Sequence, residues 1–312
     1  MTLTELRYIV AVARERHFGR AAEACHVSQP TLSVAIKKLE EELEIQIFER
    51  SSSEVAMTSL GLLIVEQAQR VLEEANSLKH LARHGQDPLT GPLRLGAIYT
   101  IAPYLLPSLV RVSRERIPNA PLFLEENFTV RLLEMLRQGS LDCAVLADPF
   151  PSAGLEVVGL YEEPFLVAVP KGHPWEHRKA IAHLELKEQN TLLLGPGHCF
   201  RDQVLEVCPE LSRFAATSEG IQRTFEGSSL ETIRHMVAAG IGITVMPMSA
   251  VQMYDRNNAL LSYIPFERPV PNRRVVLAWR KSFPRLSAVA ALADAVYACE
   301  LEGVEMLKPV TA

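Results

Sequence analysis

Three short segments at the start of the chain repeat their apolar residues with the period of a helix. The first covers residues 4–16, with Thr4 as its expected N-cap, and the second covers residues 19–24. A turn at residues 26–28 leads to a third helix that Ser28 is expected to cap, with Pro30 in the first turn, where proline is tolerated. This spacing predicts a helix-turn-helix, an arrangement typical of DNA-binding domains.

The third predicted helix has an apolar and a polar face. Its apolar stripe, which we expect to be buried, consists of Leu32, Ala35, Ile36 and Leu39. The opposite face would enter a major groove and carries Gln29, Pro30, Thr31, Ser33 and Lys37. We expect these residues to contact bases or phosphates. A plain three-helix bundle remains the alternative, because four glutamates at residues 40–44 outweigh the two neighbouring lysines.

A wing is predicted directly after these helices. Strand-like runs at residues 45–48 and 55–57 flank Arg50 and the serines at 51–53. The cation of Arg50 and the serine hydroxyls suit contacts to backbone phosphates. The sequence therefore predicts a winged helix-turn-helix domain over residues 1–58.

Residues 58–83 form one long amphipathic pattern, with apolar residues at Leu60, Leu63, Ile64, Ala68, Val71, Leu72, Ala75 and Leu78. Such an apolar helix needs a partner, and a second copy of the chain supplies one. The resulting homodimer would present two DNA-binding domains to a pseudo-palindromic site. Glycine and proline at residues 85–92 indicate a hinge, so the linker is placed at residues 59–91.

Beyond the hinge, strand-like and helical runs alternate, which predicts a parallel α/β domain over residues 92–312. The strands are expected at residues 93–98, 122–125, 142–147, 165–170, 191–194, 243–246 and 275–279. In such sheets ligands lie at the carboxyl ends of strands, facing helix N-termini. Thr100, Thr129 and Cys199 all follow strand ends, so we expect them to converge on one pocket.

Composition narrows the class of protein. The chain has 312 residues, of which 48% are hydrophobic, and this supports two or three packed domains. It contains no uninterrupted apolar run of membrane-spanning length and opens with no basic-then-apolar leader, so we expect a cytoplasmic protein with no membrane partner. Its formal net charge of −5 confines any DNA contact to a local basic face or to several copies acting together.

Two of the five cysteines flank a short, helix-capable segment. Residues 195–197 read Gly-Pro-Gly and form a turn, which places Cys199 before or in the first turn of a helix that ends at Cys208. A helix N-terminus favours the thiolate. With nine helical steps between them, the two Cα atoms would lie about 13 Å apart, against about 5.5–6 Å in a disulfide. Closing the pair would therefore unwind the segment and convert oxidation into a change of shape.

Other interpretations of this stretch remain open. Both cysteines could be small buried hydrophobes, as we expect for Cys25, Cys143 and Cys299. Metal ligation by His198, Cys199 and Cys208 lacks the usual paired spacing of zinc sites. An enzyme nucleophile with His198 as its base is disfavoured, because adjacent side chains seldom face each other.

Several motifs together resemble the LysR-type transcriptional regulators. In the N-terminal region they are residues 6–10, 17–22, 27–33, 39–43 and 48–50. The resemblance covers the whole chain and implies an α+β multidomain fold: a winged helix-turn-helix, a long linker helix, and an effector domain of two periplasmic-binding-protein-like, Rossmann-like subdomains. It implies subdomain I at residues 92–162 plus 267–312 and subdomain II at residues 163–266.

Within that family the chain is similar to peroxide-sensing members. The residues that carry this match are 197–203, Gly-His-Cys-Phe-Arg-Asp-Gln, followed by Cys208, with residues 96–100, 125–129 and 227–232 around them. The resemblance implies that Cys199 is oxidised by hydrogen peroxide and that Cys208 then forms a disulfide with it. It further implies a pocket of Thr100, Thr129 and His198, a loop supported by Arg201 and Asp202, and Arg273 and Arg274 as additional candidates.

The resemblance also implies the partners. They are double-stranded DNA, hydrogen peroxide, RNA polymerase, further copies of the chain in a homodimer or homotetramer, and a cellular thiol reductant such as glutaredoxin. No cofactor or metal is expected, and the regulated genes would serve oxidative-stress defence. Three alternatives remain: a LysR-type regulator of a small organic effector, a thiol peroxidase, and a solute-binding protein.

Overall fold

The computed structural model describes residues 1–50, 55–84, 87, 89–211, 229–252 and 260–307. The chain divides into an N-terminal unit that ends at Gln86 and a C-terminal unit that begins at Asp87. The wing serines at 51–53 and part of the predicted hinge lie outside the described residues. No helix within the described ranges combines the length and apolarity needed to cross a membrane.

The N-terminal unit confirms the predicted helix-turn-helix and long helix. Its helices are α1 Leu3–Glu15, α2 Phe18–Ala24, α3 Gln29–Leu43 and α4 Ser59–His84, and its antiparallel strands are β1 Phe48–Arg50 and β2 Val55–Met57. The first strand begins three residues later than predicted. The carboxylate of Glu40, on α3, accepts hydrogen bonds from the backbone N–H groups of Ile47 and Phe48, at 2.8 and 3.1 Å. These bonds hold the start of the strand against α3.

The caps of the first helices correct one prediction. Thr4 is not the N-cap of α1; Thr2 is, because it forms a capping box in which Glu5 N–H donates to Thr2 Oγ1 and Thr2 N–H donates to Glu5 Oε2. The Ser28 cap is confirmed, since the N–H of Thr31 donates to its hydroxyl at 3.3 Å. Helix α2 uses an unforeseen cap, the Nδ1 atom of His17.

The apolar residues of α4 lie on two faces rather than one stripe. Val65 and Ala68 are buried in the core of the N-terminal unit, with Ile64 and Leu72 packed partly against it. A second set remains exposed and consists of Leu60, Leu62, Leu63, Val71 and Leu78. This second face is exposed and could pack against another molecule.

The C-terminal unit alternates strands and helices as predicted. Its elements are β3 Leu93–Ile98, α5 Ala102–Arg116, β4 Leu122–Asn127, α6 Thr129–Arg137, β5 Cys143–Ala147, β6 Leu155–Pro170, a 3₁₀ turn His183–Glu188, β7 Thr191–Leu192, α7 Cys199–Val207, α8 Leu230–Ala238, β8 Ile243–Pro247, α9 Met248–Gln252, β9 Leu261–Pro265, β10 Asn272–Arg280, α10 Leu286–Tyr297 and β11 Glu305–Met306. Ser229 caps α8 by accepting the N–H of Thr232 at 3.1 Å.

The sheet is mixed rather than purely parallel. Strand β3 is parallel to β4 and β5, whereas β10 runs antiparallel to β5 and β6. The long strand β6 extends ten residues further toward the N-terminus than the predicted run at 165–170, and β9 was not predicted. Strand β6 contributes to two hydrophobic cores, through Leu160 and Tyr161 to one and through residues 165–169 to the other. The unit is therefore built as two halves joined by a continuous strand.

Candidate functional site

The outer face of α3 presents the side chains named from the sequence. Gln29, Pro30, Thr31 and Lys37 are exposed, and Ser33 is half-buried. The hydroxyl of Thr31 also lies 2.8 Å from that of Ser28, which fixes its position at the start of the helix. Val34 is 68% exposed on the same helix and was missed by the sequence reasoning; an exposed apolar group on a recognition helix suits the methyl group of thymine. The side chain of Arg50 lies outside the described residues.

The glutamates that argued against DNA binding are mostly engaged elsewhere. Glu40 accepts backbone N–H groups ahead of the wing, as described above. Glu42 binds the N-terminal ammonium group at 2.6 Å, and Glu41 pairs with Lys37 at 3.6 Å. Glu40 and Glu42 are therefore engaged within the unit, whereas the exposed pair of Glu41 with Lys37 is weak and leaves the lysine open to exchange partners.

The structure places Cys199 at the first position of α7, directly after the turn. Gly197 has a φ of 94°, a conformation that favours glycine, and it directs the chain into a helix of nine residues. His198 occupies the N-cap position without a side-chain capping bond. The predicted start of the helix at the cysteine is thus observed, so Cys199 lies at the end of the helix where the dipole favours negative charge.

A cavity of about 10 Å³ lies in front of Cys199. That volume is on the scale of one water-sized molecule. Its lining consists of Ile98, Tyr99, Thr100, Asn127, Phe128, Thr129, Gly197, His198 and Cys199. Three of the five predicted pocket residues, Thr100, Thr129 and His198, are therefore brought together with the cysteine, at the carboxyl ends of β3 and β4.

Two polar atoms at this cavity lack a hydrogen-bond partner among the described residues. They are Oγ1 of Thr129 and Nε2 of His198, and both are buried. Burying such groups unpaired is costly, so their presence indicates a site built to receive a small polar molecule. Burial also lowers the pKa of His198 below its ordinary value of 6.5, which keeps its imidazole neutral at pH 7.

A buried ion pair supports the cavity from behind. Arg273 and Glu163 are fully buried, with Nε of the guanidinium 2.7 Å from the carboxylate. Arg273 also donates to Oγ1 and to the carbonyl oxygen of Thr100, each at 2.9 Å, and its guanidinium lies 5.2 Å from the ring centre of Phe200. Because the Thr100 hydroxyl accepts a bond from Arg273, its own proton is available to another acceptor. Glu163 in turn accepts the N–H of Ser249.

Cys208 lies in a different environment from Cys199. Both thiols are free, but Cys199 packs against the core that contains β3, while Cys208 is fully buried in the core that contains β8. Burial, followed by a hydrogen bond to Glu210 at 3.5 Å, raises the pKa of Cys208. Helix α7 runs from Cys199 to Val207 with Cys208 as its C-cap, and nine helical rises correspond to about 13 Å between the two Cα atoms.

The other three cysteines are poor reaction partners. Cys143 and Cys299 are buried in the core around β3, and Cys25 is half-buried in the N-terminal unit. Burial raises the pKa of each of these thiols. This property is shared with Cys208, but none of the three lies at the end of the helix that Cys199 begins.

The remaining candidates lie outside the cavity. Arg201 donates to the carbonyl oxygen of Leu194 at 2.7 Å and so supports the loop, while Asp202 is exposed. Arg274 pairs on the surface with Glu162. Gln203 belongs to the matched motif but was not named as a site residue; it donates to the carbonyl oxygen of Asp148 and ties α7 to the other half of the unit. Within the described ranges no group of three metal-ligating side chains lies close enough to hold an ion.

Comparison with known proteins agrees with this architecture. Residues 3–62 match the family described as bacterial regulatory helix-turn-helix protein, lysR family, and residues 86–298 match the LysR substrate binding domain. The hydrogen peroxide-inducible genes activator of Dickeya chrysanthemi is 42% identical over 95% of both chains. A solved full-length OxyR variant from Pseudomonas aeruginosa is 51% identical over 96% of both chains, with a TM-score of 0.69. A hydrogen peroxide-bound OxyR variant from Corynebacterium glutamicum is 33% identical, covers 95% of this chain and 91% of its own, and has a TM-score of 0.63.

Proposed function

Since the chain belongs to the LysR family and, within it, to the OxyR group, we propose that it is a DNA-binding transcriptional regulator, and not an enzyme, that senses hydrogen peroxide through Cys199. The observation that carries this proposal is the small cavity in which Cys199 meets two buried, unpaired polar atoms, those of Thr129 and His198. The names of the relatives also point to hydrogen peroxide as the signal. The residues that line the cavity are the groups with which this chain would bind it and react with it.

The first step needs no rearrangement of the protein. The Cys199 thiolate attacks one oxygen of hydrogen peroxide, an S–O bond forms as the O–O bond breaks, and the departing hydroxide takes a proton to become water. Thr100 and Thr129 hydroxyls can donate to the peroxide oxygens, and the neutral imidazole of His198 can donate or accept through Nε2. The sulfenic acid that results is larger and more polar than the thiol it replaces.

The second step requires the protein to change shape. A Cys208 thiolate attacks the Cys199 sulfur, the S–S bond forms, and the S–O bond breaks with loss of hydroxide, which is protonated to water. A separation of about 13 Å across α7 cannot be spanned by a disulfide, which needs Cα atoms about 5.5–6 Å apart. Residues 200–207 must therefore unwind, and Cys208 must leave its core. That segment is the bistable element of the switch.

DNA binding is assigned to the outer face of α3. We place Gln29, Thr31 and Ser33 at base edges or phosphates, and Lys37 and Arg50 at phosphates. Dimerisation is assigned to the exposed apolar face of α4, which would otherwise remain in water. Larger assembly to a homotetramer would come from the C-terminal unit. At a promoter, the bound regulator would have RNA polymerase as a partner. Reduction of the disulfide back to two thiols requires a thiol reductant such as glutaredoxin in a reducing cytoplasm.

Thiol mapping by mass spectrometry tests the chemistry. Peroxide should give a Cys199–Cys208 disulfide in the wild-type protein, a trappable sulfenic acid in Cys208→Ser, and neither product in Cys199→Ser. A triple variant in which Cys25, Cys143 and Cys299 are serine serves as the control and should react like the wild type. Oxidation that requires one of those three cysteines instead would refute the assignment.

The two nearest alternatives make different predictions. A small organic effector normally occupies a pocket of about 300–1,000 Å³, whereas the cavity at Cys199 is about 10 Å³. A thiol peroxidase would consume peroxide through many turnovers. With a suitable reductant present, we expect slow re-reduction and one equivalent of peroxide consumed per oxidation event, and sustained turnover at catalytic rates would favour the enzyme.

A further inference from the structure

The entrance side of the cavity is lined by aromatic rings. Tyr99 follows β3, Phe128 precedes α6, and His198 precedes α7, so three separate elements contribute one ring each. The ring centres of Phe128 and His198 lie 4.8 Å apart, those of Tyr99 and Phe128 5.2 Å, and those of Tyr99 and His198 6.0 Å. We call these three residues the aromatic rim.

Two of the three rim residues reach solvent. Tyr99 is 36% exposed and Phe128 is half-buried, whereas His198, Thr100 and Thr129 are buried. Tyr99 and Phe128 are therefore the aromatic side chains that a molecule too large for the cavity would contact at its wall.

The main chain holds Phe128 close to the cysteine loop. A Cβ atom placed on Gly197 would lie 3.4 Å from two ring carbons of Phe128, which is the distance of direct packing. The ring of Phe128 therefore lies about one side-chain atom away from the backbone of the turn. Edge-to-face contacts with the rings of Tyr99 and His198 add further restraint. The rim is thus packed on several sides and is not free to swing aside without loss of contacts.

We propose that the aromatic rim makes Cys199 selective for hydrogen peroxide over alkyl hydroperoxides. This inference rests on the proposed function and adds the substrate class that the site rejects. Hydrogen peroxide has two heavy atoms, and a cavity of about 10 Å³ is on the scale of one water-sized molecule. An alkyl hydroperoxide reacts by the same balanced step, in which the thiolate takes one oxygen and an alkoxide leaves and is protonated to the alcohol. Its carbon atoms, however, exceed that volume, and Phe128 and Tyr99 are aromatic side chains of the lining that they would meet.

The test compares the rates at which hydrogen peroxide and tert-butyl hydroperoxide oxidise Cys199. Sulfenic acid is trapped and quantified by mass spectrometry in the full-length Cys208→Ser protein, so that the second step does not interfere. Phe128→Ala should raise the rate with tert-butyl hydroperoxide by at least about 10-fold, the scale of discrimination that hydrophobic pockets achieve per methylene group. The rate with hydrogen peroxide should rise far less, so the ratio of the two rates is the quantity that decides.

Phe123→Ala is the matched control. Phe123 lies on β4, is 61% exposed and does not line the cavity, so the same substitution there should change neither rate. Phe128→Leu, which preserves more of the packing, should give an intermediate effect and serves if the alanine variant folds poorly.

The outcomes separate this inference from the function on which it rests. Failure of hydrogen peroxide to oxidise Cys199 in the protein with an intact rim would overturn both. Rapid reaction of that protein with both peroxides, or an unchanged rate ratio in folded Phe128→Ala and Phe128→Leu, would overturn only the role of the rim. An equal effect of Phe123→Ala would show that general loosening, and not the rim, sets the selectivity.

Discussion

Replacing Arg273 with methionine should destabilise the C-terminal unit strongly. The guanidinium lies fully buried against Glu163, and it also holds both polar groups of Thr100. Methionine keeps much of the side-chain volume but removes the charge and all three hydrogen bonds. The carboxylate of Glu163 is then left buried, with the N–H of Ser249 as its remaining recorded donor within the described residues.

The size of the effect follows from the burial. Removing one partner of a buried ion pair costs about 3–5 kcal/mol, because the other charge stays uncompensated. For a unit of this size, each kcal/mol lowers the melting temperature by about 2–4 °C, so the expected fall is roughly 6–20 °C. The neighbouring Arg274 provides a matched comparison, since its side chain is 56% exposed and its pair with Glu162 lies at the surface. Exposed pairs contribute about 0–1 kcal/mol.

Thermal unfolding of the reduced protein, followed by circular dichroism, measures the difference. Arg273→Met should melt far below the wild type, whereas Arg274→Met should melt within a few degrees of it. A Glu163→Leu substitution added to Arg273→Met should recover part of the loss, because it removes the unpaired charge. Equal melting temperatures for Arg273→Met and Arg274→Met would refute the reasoning.

Three further predictions concern DNA contact, pH and the second thiol. Thr31→Ala with Ser33→Ala should weaken specific DNA binding, while Lys37→Ala should weaken binding to all sequences and reduce the salt slope by about one unit; unchanged affinity in titrations at several salt concentrations would exclude this face. Because burial lowers the pKa of His198, its contribution to folding stability is present above pH 6.5 and is lost as the pH falls. In denaturant titrations at several pH values, His198→Gln should therefore show a weaker dependence of stability on pH. The same pH profile for the variant and the wild type would contradict this prediction. Glu210→Gln removes an acceptor that helps, after burial, to raise the pKa of the second thiol, so disulfide formation in stopped-flow assays should shift to lower pH, and an unmoved profile would count against that contact.

Much of the fold follows from local pattern. The 3.6-residue period and Ser28 predict α3 with its cap, and the Gly-Pro-Gly turn places Cys199 at the start of α7, because these signals lie within a few residues of their effect. Errors arise where two local solutions compete. Thr2 and Thr4 are both possible caps, and the capping box with Glu5 decides in favour of Thr2.

The site could be predicted only in part, because its supporting contacts are distant in sequence. Glu163 and Arg273 are 110 residues apart, and neither segment contains a local pattern that predicts the ion pair. The aromatic rim likewise joins three separate loops. By contrast, Cys199 and Cys208 share one helix, so their separation could be worked out from helical rise alone.

The central claim is that oxidation of Cys199 alters how the protein holds DNA. The most direct test is a nuclease footprint on the DNA upstream of the protein's own gene, with reduced and peroxide-treated wild-type protein beside Cys199→Ser. We expect binding in both states, with a footprint that changes on oxidation of the wild type and stays constant in Cys199→Ser. A peroxide-dependent change of footprint in Cys199→Ser, or a constant footprint in wild-type protein whose Cys199–Cys208 disulfide is verified, would contradict the account.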